Sequence, residues 1–260
     1  MKIGSRATSA MVAFLVLVPS AGVWAQTQSQ AQPQSQAQNQ TQQAPAQKTV
    51  EESYLQSSLE TMVIKEQSQS DSRDMKMLAL QYAKEAIDGG RGNDDIRNSL
   101  EYLALETSNL VIRSGGTGRV LNDYPDIRAT ACDYLAAFPS QSTKDALVRV
   151  VLSDEEPMVI SAAVRSLGKI GINDNDEVTQ DIAFIVNRYD ILQPDNSLAF
   201  ESLLAFERIN AKDGGLKDPA AISAIMRIAT GNYIGPVKQK ASQLLDLIRK
   251  TVASSSTSGS

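Results

Sequence analysis

From residue 49 to residue 252, apolar side chains recur at steps of three and four residues, which is the spacing of an amphipathic helix. The alternation of apolar and polar residues that is typical of half-buried strands is weak. Pro, Gly, Asn and Asp interrupt the pattern at intervals that suit helical hairpins. The pattern therefore predicts an all-α fold of short helices joined by turns.

Four of the predicted helices repeat one another without gaps, at starting points 32, 39 and 39 residues apart. Each copy has an apolar residue at its first position and at offsets eight and eleven, with Ala or Ser at offset four. These offsets lie on one side of a helix, so that side is predicted to be buried. The four columns hold, in chain order, Ile127, Ala131, Leu135 and Phe138, then Val159, Ala163, Leu167 and Ile170, then Leu198, Ser202, Phe206 and Ile209, then Val237, Ala241, Leu245 and Ile248.

A second helix precedes each of the last three copies, so the repeating unit is helix A, a turn and helix B. Upstream, residues 75–87 are predicted to form a weaker B helix and residues 96–105 an A helix. Residues 54–64 are predicted to form a capping helix at the start of the array. The segment 109–124, which contains the run Ser-Gly-Gly-Thr-Gly-Arg, is predicted to be a loop inserted into the array.

The segment 154–171 resembles the B helix of a HEAT repeat, with an acidic-Pro turn, Val-Arg, a pair of Ala and Leu-Gly-Lys-Ile-Gly. Residues 125–131 match the first half of that pattern, with Arg128 where the family often has Arg. The copies at Leu198 and Val237 are looser. The resemblance covers residues 72–252. It implies a right-handed α-α superhelix of about four to five helix pairs, a protein-binding scaffold, and no family-wide catalytic residue.

The amino terminus has the features of a secretory signal peptide. Lys2 and Arg6 precede an apolar run from Met11 to Val18, and small or tolerated residues lead to Ala25. The run is short for a membrane anchor, which is the alternative. We therefore expect cleavage after Ala25 and a periplasmic mature chain, or a secreted one, with no transmembrane span.

The segment 26–48 is dominated by Gln, with eleven in residues 26–47, and has no large apolar side chain before residue 48. It cannot bury enough surface to offset the entropy of ordering, so a disordered spacer is predicted. Residues 253–260 are Ser, Thr and Gly apart from one Ala, and are predicted to be a disordered tail. The folded array is thus predicted to span residues 49–252.

The composition excludes several classes of chemistry. The chain has no His and one Cys, which excludes Ser-His-Asp and Cys-His hydrolases and Cys clusters. The Gly-rich runs at 89–92 and 115–118 lack the pattern of a phosphate-binding loop. The acidic runs at 154–156 and 174–177 lack the spacing of an EF-hand. We therefore expect no metal site, no cofactor and no enzymatic activity, with a lyase-like enzyme as the least favoured alternative.

The lone Cys132 follows the small-residue column of its helix by one position. A buried, inert thiol is the first interpretation. An exposed thiol that forms an intermolecular disulfide in an oxidising compartment is the alternative.

The third B helix carries large apolar side chains on the side opposite its predicted core. They are Phe200, Leu203 and Leu204, flanked by Glu207 on the same helix and Arg165 on the preceding B helix. Packing against an adjacent helix is one interpretation. The other is a binding surface for another protein. Since the net charge is −5, a nucleic-acid partner is not expected. A structural component that self-associates or is tethered to the envelope is the alternative to an adaptor.

Overall fold

The computed structural model describes residues 49–109, 111–118, 120–190 and 194–257. The predicted signal peptide and the whole of the predicted spacer, residues 26–48, lie outside the described residues. In the described part the only strand-like pairing is one antiparallel bridge between Arg113 and Val120. The helices are α1 Val50–Ser68, α2 Arg73–Asp88, α3 Asp94–Ala104, α4 Glu106–Asn109, α5 Pro125–Leu135, α6 Gln141–Ser153, α7 Pro157–Ile170, α8 Glu177–Tyr189, α9 Asn196–Lys212, α10 Pro219–Thr230 and α11 Gly235–Thr257.

Ten of these helices form five pairs: α1 with α2, α3 with α5, α6 with α7, α8 with α9, and α10 with α11. The A helices α1, α3, α6, α8 and α10 contact one another in that order. The B helices α2, α5, α7, α9 and α11 do the same. Two parallel rows of helices around one continuous core make an all-α solenoid, as the repeats predicted. The hand of the superhelix stays a prediction.

Local sequence signals set where the helices begin. Pro occupies the first turn of α5, α7 and α10, where its missing N–H has no helical partner to lose. Asp195 caps α9 by accepting the backbone N–H of Leu198 at 2.8 Å, and Ser140 caps α6 by accepting that of Thr143 at 3.2 Å. These helices therefore begin where the local sequence supplies a Pro or a capping side chain.

The repeated columns form the core between the two rows. At offsets zero and four every residue of the four copies is buried. The exceptions lie further along. Phe138 follows α5, which ends at Leu135, and is partly buried, as is Leu245 on α11. The helical period therefore predicted the core correctly except at offset eleven of the first copy and offset eight of the fourth.

Cys132 is completely buried in this core. Burial, followed by the negative charge of Asp154, raises the pKa of its thiol far above the ordinary value. The thiol is therefore protonated and out of reach of a second chain. The first interpretation of Cys132 is confirmed, and the intermolecular disulfide is excluded for the folded array.

The inserted loop and the end of the last helix can be compared with their predicted boundaries. The predicted insert is a loop closed by the Arg113–Val120 bridge, and Gly118 takes a positive φ of 67° at its turn. The last helix runs to Thr257. The helical array therefore extends five residues beyond the predicted end at Val252, into the segment expected to be a disordered tail.

Among the described residues, no helix has the length and apolarity needed to span a membrane.

Candidate functional site on the exposed face of the B helices

The middle of the B row presents apolar side chains on its outer side. Phe200 and Leu204, one turn apart on α9, lie opposite the buried column of that helix. Phe200 is 37% exposed and Leu204 is half-buried. We call the outer side of α5, α7, α9 and α11 the B face, with Phe200 and Leu204 as its apolar centre.

Leu203 is not part of this face, which corrects the sequence interpretation. Its side chain is fully buried and belongs to the core. Leu203 precedes Leu204 by one residue, a rotation of about 100°, which turns it away from solvent toward a neighbouring helix. Packing against an adjacent helix, the other interpretation, is the right one for Leu203.

The two charged residues predicted beside the apolar centre are each already paired with another helix. Arg165 on α7 donates from Nη1 to Asp133 Oδ1 on α5 at 2.7 Å, and its Nε lies 3.1 Å from Glu201 Oε1 on α9. Glu207 on α9 accepts from Lys240 Nζ on α11 at 2.7 and 2.8 Å. These ion pairs join four consecutive B helices and flank the apolar centre on both sides.

The protonation of Arg165 reflects its surroundings. Partial burial alone would lower the pKa of its guanidinium, but Asp133 and Glu201 outweigh that effect and raise the pKa. Arg165 therefore stays charged and held in place. Exposed pairs of this kind add little stability, about 0–1 kcal/mol each. Their contribution here is to fix the side chains that surround Phe200 and Leu204.

One acid of each acidic run considered for calcium is engaged in an ion pair with another helix. Asp154 accepts from the buried Arg128, and Glu177 accepts from Lys144. Within the described ranges, no three His, Cys, Asp or Glu side chains come together in a way that could hold a metal ion. The B face can therefore offer apolar contact at its centre, next to charged side chains that ion pairs hold in place.

Two further grooves were missed by the sequence interpretation. One, of about 590 Å³, lies between α2 and α5 and includes Met77 and Tyr134. The other, of about 570 Å³, lies between α1 and α2 and includes Leu55 and Leu59. A signal for the second was present, because apolar residues recur along α1 at the spacing of one helical stripe. The sequence interpretation assigned this stripe to a capping helix, residues 54–64, and did not recognise it as an exposed surface.

Comparison with known proteins agrees with this architecture. Residues 120–186 match the family model for HEAT repeats, which covers α5, α6, α7 and most of α8. No curated protein matches the chain. The matched residues include the acidic-Pro turn before α7 and the Leu-Gly-Lys-Ile-Gly run at its end.

Proposed function

We propose that this HEAT-like repeat protein is an exported, non-enzymatic scaffold that binds another protein on its B face. HEAT repeats commonly mediate contacts between proteins, and a solenoid recognises its partner through exposed side chains along a row of helices. The observation that carries the proposal is the apolar centre of the B face, Phe200 and Leu204, surrounded by ion pairs that hold its flanks.

The composition of the B face suits a protein surface. An apolar anchor at the centre of a patch supplies most of the binding free energy, at about 25 cal/mol for each Å² of apolar area removed from water. The charged flanks, Arg165 on one side and Glu207 on the other, offer polar contacts around it. This arrangement of an apolar centre and a polar rim is that of ordinary protein–protein interfaces.

Changing the apolar centre should remove the partner. In the double variant Phe200→Asp and Leu204→Asp, a photo-crosslinker at Ser197 is expected to capture about tenfold less partner than in the wild type, since central interface residues cost more than 1 kcal/mol. Ser197 is exposed at the start of α9. The captured band is identified by mass spectrometry and quantified.

The matched control is Phe184→Asp, which places the same substitution on the A row. Phe184 is 57% exposed on α8, so its replacement should leave both folding and capture unchanged. Equal capture by the wild type and the α9 double variant would refute the proposed surface. Failure to recover any stoichiometric partner of the wild type from native envelope would refute the adaptor function.

The proposed location is the periplasm, supported by the pattern of residues 1–25. Sequencing the amino terminus of the chain recovered from cells should show Gln26 as the first residue. Because Trp24 is the only Trp of the chain, the mature protein should also lack tryptophan fluorescence. A chain that retains Trp24 would contradict cleavage and favour a membrane-tethered form.

A further inference from the structure

The outer side of the first helix pair carries an apolar stripe that is exposed to solvent in the described part of the chain. Leu55, Leu59 and Val63 follow one another at four-residue steps along α1, and Tyr82 of α2 lies beside them. Leu59 is 60% exposed. The buried side of α1, by contrast, carries Ile64 and Ser68. We call the groove of about 570 Å³ formed by α1 and α2 the terminal groove.

The position of the terminal groove in the array explains its character. In a solenoid, each helix pair is covered on both sides by its neighbours, and the end pairs need a polar outer side to remain soluble. The α1/α2 pair contacts the α3/α5 pair on one side only. Its other side, which holds the groove, is not a fully polar cap, since the apolar stripe and Tyr82 lie there beside Glu52, Gln56, Glu60 and Glu85.

The composition of the predicted spacer offers no apolar cover for the groove. Residues 26–47, which lead into the segment before α1, contain Gln, Ala, Ser, Thr, Asn and Pro and no large apolar side chain. At the other end of the array, α11 exposes the polar residues Gln239, Gln243, Asp246 and Lys250, with Leu247 39% exposed among them. Packing that helix into the groove would bury polar groups against leucines without partners.

We propose that two copies of this chain associate end to end through their terminal grooves, with α1 and α2 of one copy packed on α1 and α2 of the other about a two-fold axis. A second terminal groove presents the same apolar stripe on the same scale. Such an isologous contact closes on itself and stops at a dimer. The inference concerns the end of the array and goes beyond partner binding at the B face.

The size of the surface is of the order that a specific contact needs. At 1.5 Å per residue, the 19 residues of α1 and the 16 of α2 are about 28 and 24 Å long. With axes about 10 Å apart, they present about 500 Å² in projection before side-chain relief is counted. This is of the order of the roughly 800 Å² of accessible surface that each partner buries in a standard interface.

The charges around the groove predict how salt affects the contact. Glu52, Glu60 and Glu85 border it, and Glu60 is neutralised by Arg91, whose Nη2 lies 2.9 Å from Oε1. Two such acidic borders repel each other across a two-fold contact, and salt screens that repulsion. Dimerisation is therefore expected to strengthen between low and moderate ionic strength.

Sedimentation of the exported chain at increasing concentration tests the dimer. The wild type is expected to be a dimer at high concentration, and Leu59→Glu is expected to raise the dissociation constant about tenfold or more. The matched control Met226→Glu alters a residue that is 49% exposed on α10 and should dimerise like the wild type. A wild type that stays monomeric, or equal weakening by both variants, overturns the proposal.

Disulfide trapping tests the orientation of the two copies. Leu59 is at the middle of the stripe and so nearest the two-fold axis, and Leu59→Cys should form a crosslinked dimer on mild oxidation. The buried Cys132 does not compete. Gln243→Cys on α11 should not crosslink, alone or mixed with Leu59→Cys. Crosslinking only in the mixture would indicate a head-to-tail contact and overturn the proposal.

Discussion

Asp154→Ala is expected to destabilise the folded chain by about 3–5 kcal/mol, because it leaves a buried guanidinium without its buried partner. Asp154 Oδ2 accepts from Arg128 Nε at 2.8 Å, and both side chains are almost fully buried. Asp154 Oδ1 also accepts the backbone N–H of Glu156 at 2.9 Å, in the turn that leads into α7. The substitution thus removes an ion pair and a turn contact together. Urea denaturation followed by circular dichroism measures the loss.

The surroundings of Arg128 make the expected loss specific. Burial alone would lower the pKa of Arg128, but Asp154 and then Asp123 reverse that effect and raise it. In the variant only Asp123 remains, with its side chain 44% exposed. A solvated carboxylate stabilises a buried cation less than a buried one does.

A neighbouring acid provides the control for this variant. Glu155 is exposed, and Glu155→Ala should change the free energy of unfolding by no more than about 0.5 kcal/mol. Combining Arg128→Met with Asp154→Leu replaces the pair by apolar side chains and should recover most of the lost stability. A loss below about 1 kcal/mol for Asp154→Ala would show that the pair does not stabilise the α5–α7 junction as argued.

Gly168→Ala is expected to destabilise the protein by about 1–3 kcal/mol, although alanine is the better helix former by about 1 kcal/mol. Gly168 lies within α7, and a Cβ atom there would come within 2.6 Å of the Ala205 Cα and 2.8 Å of the Ala205 Cβ on α9. The nearest obstacle is backbone, so a side-chain rotation cannot relieve the contact. The two helices must move apart, which loses packing along their whole contact. Thermal and urea unfolding give the sign directly.

The control for Gly168 is a glycine with open space around it. A Cβ atom at Gly235, in the first turn of α11, would meet nothing within 4 Å. Gly235→Ala should therefore leave stability unchanged within about 0.5 kcal/mol or raise it. If Gly168→Ala were as stable as the wild type or more so, the close approach of α7 and α9 would not be a constraint on this position.

The helix that carries Gly168 shows why the core could be predicted from the sequence better than the surface. The helical period placed Val159, Ala163 and Leu167 in the core, because burial of one side of a helix repeats every three to four residues. It also placed Gly168 on the opposite side, together with Ser161 and Val164. All three are buried. In a solenoid a B helix is covered on its flanks as well as on its core side, and the sequence period alone does not show how wide that cover is.

The residues of the candidate site were likewise predicted less completely than those of the core. Of the residues proposed to meet a partner, Phe200 and Leu204 are accessible, whereas Leu203 is in the core. Arg165 and Glu207 form ion pairs with Asp133 and Lys240 that join residues more than thirty positions apart. Charge pairing at that separation depends on which helices become neighbours. The position of a residue within its own helix does not reveal it.

By itself the sequence determined the helical class, the two-helix unit, the caps and most of the core, since each depends on residues within one or two turns of each other. Only the tertiary structure decided the partners of these helices across the array. It paired Arg128 with Asp154, brought Gly168 against Ala205, and left the α1 stripe without a neighbour. These features arise from the distances and angles between whole helices, which are set by the packing of all pairs together. The two surfaces of interest, the B face and the terminal groove, exist only once the pairs are stacked.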